Sequence, residues 1–167
     1  MIINLTGPVD DSMVNSLING LNNKEDSIHY IYLKTEGGDV TCQDAIIHLL
    51  SENSERCILI GYGYLYSAGF NIFYKSECPK ALLPDTLGMA HFAASFLRIT
   101  ETGKPNMSDP DAFYLKNLKI TKSTTMKFFK SLAFTEQELT EVSNGKEVWF
   151  NTKRMNELFK KHGTEIK

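Results

Sequence analysis

Gly61-Tyr62-Gly63-Tyr64-Leu65-Tyr66-Ser67-Ala68-Gly69-Phe70 is the stretch from which the rest of the chain is read. The apolar run before it, Cys57-Ile58-Leu59-Ile60, reads as a buried strand. The closely spaced glycines predict a sharp turn, and Ala68-Gly69-Phe70-Asn71-Ile72-Phe73 reads as the start of a buried helix. A serine on a strand-to-helix turn exposes its hydroxyl. The helix behind it points N–H groups and a positive dipole end at developing negative charge. That is what a nucleophilic serine requires. The plainer reading makes Ser67 a helix cap.

Upstream, Ile2-Ile3-Asn4-Leu5 reads as a short strand closed by Gly7-Pro8. Asp10 or Asp11 then caps a helix whose Val14, Leu17, Ile18 and Leu21 fall on one 3.6-residue face. Ile28 to Leu33 is β-branched and aromatic, as a central strand requires. Gly37-Gly38-Asp39 breaks it, and a second helix follows with Val40, Ala45, Ile46, Leu49 and Leu50 on its apolar side. Strand and helix patterns alternating over short links predict an α/β fold with a largely parallel sheet.

Downstream, Lys80 to Asp85 reads as a short strand and turn, and Leu87-Gly88-Met89-Ala90-His91 as a strand ending in a histidine. The polar stretch from Ala93 to Pro110 reads as mostly loop. Asp109 or Asp111 starts a long helix through about Leu132, whose apolar residues are spread around it, as contacts on several sides would require. Thr135 with Glu138 forms a capping-box start, and Asn144-Gly145 is a turn. Glu147-Val148-Trp149-Phe150 is short and apolar apart from its acid, and Asn151 or Thr152 caps a final helix.

The bulk numbers set limits. A chain of 167 residues predicts one domain, 1–167, with a sizeable core. The net charge of −2, with no acidic or basic block, argues against nucleic acid or a membrane surface as partner. Cys42, Cys57 and Cys78 are three in number and form no Cys-x-x-Cys, which argues against a disulfide framework or a zinc site and fits a cytoplasmic location. Cys42 and Cys57 read as small core residues, and His29, His48 and His162 lack ligand spacing. Met1 to Leu5 lacks the basic start of a signal peptide, and no apolar run approaches the roughly 20 residues of a membrane span.

Four blocks stand in one order: a Gly-Gly loop after a strand, a serine turn, a histidine ending a strand, and an acid before a terminal helix. In this the chain resembles the Clp protease proteolytic subunit family, serine peptidases with a crotonase-type fold. Thr35-Glu36-Gly37-Gly38 is similar to that family's Ser-Pro-Gly-Gly loop. Gly63 to Gly69 is similar to its Gly-x-Ala-Ala-Ser-x-Gly turn, and Leu83-Pro84-Asp85-Thr86 to its Leu-Pro-Asn-Ser segment before the histidine.

The resemblance implies repeated ββα units, a handle helix over about 109–132, and a homo-oligomer acting on peptides or unfolded proteins without metal or cofactor. It implies Ser67 as nucleophile, His91 as general base and Glu147 as the third member, with Asp85 and Asp109 as rival acids. It implies an oxyanion hole made by backbone N–H groups of Gly37 or Gly38 and of Ala68. The chain starts at the first core strand, without the family's axial segment, which argues against docking to a ring ATPase. A second expectation is a catalytically inactive assembly or regulatory subunit: Tyr66 replaces a small residue, Phe92-Ala93-Ala94-Ser95 replaces the Pro and Gly-Gly after the histidine, and Glu147 stands for Asp. A third is acyl-thioester chemistry in the manner of crotonases.

Overall fold

Alternation of buried and exposed side chains along short β-branched and aromatic segments builds one sheet. A computed structural model describes residues 1–22, 28–92 and 122–160. The elements are β1 (Ile2–Thr6), α1 (Asp11–Leu21), β2 (His29–Thr35), α2 (Val40–Glu52), a 3-10 turn (Ser54–Arg56), β3 (Cys57–Tyr66), α3 (Ala68–Lys75), β4 (Lys80–Leu82), β5 (Leu87–Ala90), α4 (122–131), α5 (Glu136–Ser143), β6 (Val148–Phe150) and α6 (Thr152–Lys160). The strand order is β1-β2-β3-β5-β6, with β4 also paired to β3. Pairs are parallel throughout except β5 with β6. This is the mixed, mostly parallel α/β sheet that the alternating pattern predicts.

Alternate residues of β1, β2 and β3, among them Leu5, Ile31, Leu33, Leu59 and Leu65, are fully buried beneath the helices. Phe70, Phe73 and Phe129 complete this core, each worth about 1.5–3 kcal/mol on burial. Ile2, Tyr30 and Leu87 on β1, β2 and β5 are exposed. The helix ends follow their caps. Asp10 accepts from the Met13 N–H at 3.0 Å, Asp39 from Cys42 at 2.8 Å, and Asn151 from Arg154 at 2.9 Å. Thr135 and Glu138 form the full capping box. Glu138 is in turn gripped by both Arg154 Nε (2.9 Å) and Nη2 (2.7 Å), which ties α6 to α5.

Two expectations need adjustment. The glycines before Ser67 make no sharp turn: β3 runs unbroken from Cys57 to Tyr66. Leu33 pairs with Gly61 but Thr35 pairs with Leu65, so the segment 62–64 bulges, with Gly63 at φ 63°. The glycines serve a bulge within the strand, and the chain turns at the serine itself. The long helix is described over 122–131 only; its earlier part and the loop expected over 93–110 lie outside the described residues. Within it, Phe129 is buried and Phe128 is half-buried beneath the Lys75 ammonium, 5.0 Å from the ring.

His29 is fully buried on β2, and neither ring nitrogen has a hydrogen-bond partner among the described residues. Burial first, then the Arg56 charge and the N-terminal ammonium, hold its pKa below the usual histidine value. A pKa lowered by folding makes stability complete above the ordinary value and lost as pH falls through the folded one. The wild type is therefore expected to lose urea stability between about pH 7 and 5. His29→Leu should lose less over that window; matching acid slopes would assign the loss to other groups.

Candidate active site

Ser67 follows the last residue of β3 and occupies the N-cap position of α3. Its N–H donates to the Met89 carbonyl on β5 at 2.8 Å, and its carbonyl accepts from the Asn71 N–H at 3.1 Å. Its φ is 52°, an uncommon conformation for a residue with a Cβ and one that strained functional turns share. The cap reading fails at the side chain: Ser67 makes no capping hydrogen bond. Its Oγ lies instead 2.6 Å from His91 Nε2.

His91 arrives there because β3 and β5 are parallel neighbours, with Tyr66 facing Met89. Both strands end on the same edge, so the residues just beyond them meet. The imidazole is half-buried. Desolvation lowers its pKa, and the Glu147 charge pulls the other way. The ring is thus kept neutral at pH 7, the state that accepts a proton.

Glu147 immediately precedes β6. The antiparallel register sets Ala90 opposite Val148, so one step further sets His91 opposite Glu147. The carboxylate is exposed and makes no hydrogen bond to His91 among the described residues; it acts on the ring through its charge. Asp85 is exposed at φ 60° in the turn between β4 and β5, and Asp109 lies outside the described residues.

The Gly37-Gly38 loop packs against the serine turn. A Cβ on Gly37 would stand 2.8 Å from Ser67 Cβ and 3.3 Å from the Ala68 nitrogen, so this approach requires glycine. Gly37 donates its N–H to Thr35 Oγ1 at 3.0 Å. Gly38 and Ala68 have no acceptor for their N–H groups among the described residues. The ring of Tyr66, which stands where the family has a small residue, stacks on Tyr64 at 5.1 Å and meets Trp149 edge-on at 5.0 Å.

Thr35 is a residue that sequence reasoning left without a role. It is fully buried, orients Gly37, and seats α3, where a Cβ on Gly69 would come within 2.3 Å of its Cγ2. A hydroxyl two residues before a glycine, as in a Ser/Thr turn, was the available signal.

A family model, Clp protease, matches residues 1–108. Among solved structures, a point mutant of ClpP1 from Listeria monocytogenes is similar in fold: the TM-score is 0.70 and the identity 15%, over 94% of this chain and 86% of that one. No curated protein matches the chain. No helix among the described residues is long and apolar enough to cross a membrane.

Because Glu147 raises the His91 pKa against the effect of burial, Glu147→Gln should lower it further. An NMR titration of the His91 ring should show its midpoint moving to lower pH; an unchanged or higher midpoint would mean that the carboxylate does not act on the ring.

Proposed function

Because the chain belongs to the Clp protease family, we propose that it is a serine peptidase that cleaves peptide bonds through an acyl-enzyme on Ser67. The observation that carries this reading is the 2.6 Å contact between Ser67 Oγ and His91 Nε2 on a serine held at positive φ. His91 Nε2 takes the hydroxyl proton as Oγ attacks the peptide carbonyl carbon. The tetrahedral oxygen is received by the N–H groups of Gly38 and Ala68, donors of a kind typically worth about 2.7–4 kcal/mol each in the transition state. The imidazolium then gives its proton to the departing amine. Water, deprotonated by the same ring, hydrolyses the ester and frees Ser67.

Glu147 is the third member in this reading. It stabilises the imidazolium by its charge, and a hydrogen bond to Nδ1 would need the exposed carboxylate to swing inward. The chain acts as a single domain, 1–167, in a homo-oligomer, on peptides or unfolded proteins in the cytoplasm. One observation favours the inactive assembly subunit instead: Glu147 makes no hydrogen bond to His91 among the described residues.

A fluorophosphonate probe separates the two. The wild type is expected to carry one covalent adduct, mapped to Ser67 by mass spectrometry, and Ser67→Ala none. His91→Ala should slow labelling by at least about a hundredfold, the scale of general-base assistance. Equal labelling of wild type and Ser67→Ala, or none of either, would remove the peptidase assignment.

A further inference from the structure

The helix that starts at Ser67 is short, eight residues from Ala68 to Lys75, or about 12 Å. Its N-terminal end has no side-chain cap, because the Ser67 hydroxyl is turned to His91. That end is held through the Ser67 N–H on the Met89 carbonyl and by Thr35 against Gly69; the other end is held differently. There the last carbonyls of a helix lack partners within it. The Ile72 carbonyl is satisfied by the Ser76 N–H and hydroxyl. The carbonyls of Phe73 and Ser76 are both satisfied by one group, the ammonium of Lys80, with Nζ 2.8 Å from the Phe73 oxygen and in hydrogen-bond contact with that of Ser76.

Lys80 is 8% exposed. A buried ammonium is unfavourable unless its donors are used, and a methionine would fill the same space without that penalty. Burial lowers the pKa of Lys80 to about 8, which leaves it charged at pH 7. A cation at this end also suits the helix dipole. Lys80 is itself fixed, since it opens β4 and pairs with Leu59 on β3, the strand that ends at the serine. One side chain thus ties the far end of α3 to the strand that delivers its near end.

We propose that Lys80 is a positioning residue for Ser67: it clamps the C-terminal end of α3 to the sheet and so holds the serine in register with His91. The geometric claim stands on the contacts themselves; its consequence for catalysis rests on the peptidase reading.

The test uses the full chain and two variants. Lys80→Met keeps the apolar stem and removes the donors; Lys80→Gln keeps an N–H2 group on a shorter stem. NMR of the His91 ring reads the Ser67–His91 contact directly, with Ser67→Ala as the reference for its loss. Lys80→Met should move the ring signals toward that reference and slow fluorophosphonate labelling roughly 10- to 100-fold, the penalty for a misplaced reacting group. Lys80→Gln should fall between it and the wild type. Wild-type ring signals in both variants, however far the melting temperature drops, would reduce Lys80 to a stabilising residue and overturn the proposal. If the wild type itself is not labelled, the peptidase reading fails, while the ring signals still decide for or against Lys80. If Lys80→Met does not fold, Lys80→Gln is judged by the same signals.

Discussion

The parallel register between β3 and β5 is the constraint on which the site depends. Tyr66 faces Met89, and the Ser67 N–H closes that pairing on the Met89 carbonyl. His91 is then two residues away along a strand whose position is fixed. A slip of one residue would turn the histidine to the other face of the sheet. A slip of two would carry it about 6.6 Å along the strand, well outside hydrogen-bond reach of the serine. The contact of 2.6 Å is thus a property of strand pairing before it is a property of either side chain.

Electrostatics then sets the state of the groups so placed. Half-burial disfavours the charged imidazole, and a carboxylate across the next strand pair favours it. The ring stays neutral at rest yet has a negative charge nearby when it takes a proton. The glycine loop serves the same end by steric means. Gly37 comes against the serine turn because it has no Cβ, and Thr35 takes up its N–H.

Much of this was legible in the sequence, because the signals were periodic or local. The helix faces, the capping box at Thr135 and the strand ending in His91 follow from spacing alone. Ser67 and His91 were paired through the resemblance in their surrounding blocks. What resisted reading was set by three-dimensional pairing. Gly61 and Gly63 look like turn formers, but the extra length they provide is absorbed as a bulge once β2 fixes the register on either side. The position of Glu147 opposite His91 depends on an antiparallel pairing with β5 that no local pattern announces. Lys80 is the one polar residue of a three-residue strand, and its partners are backbone carbonyls at the end of α3.

The edge of β3 that leads to Ser67 is shared by two strands in tandem. Leu59 faces Lys80, an offset of 21 residues (80 − 59), and Tyr64 faces Leu87, an offset of 23 (87 − 64). The chain carries a surplus of two residues between them, taken up in the turn that includes Asp85 at φ 60°. β4 and β5 each take their register from β3 and not from one another, so the turn has only to span the gap between them. Its length is free to vary so long as both pairings with β3 are kept, which leaves the serine-to-histidine contact insensitive to that turn.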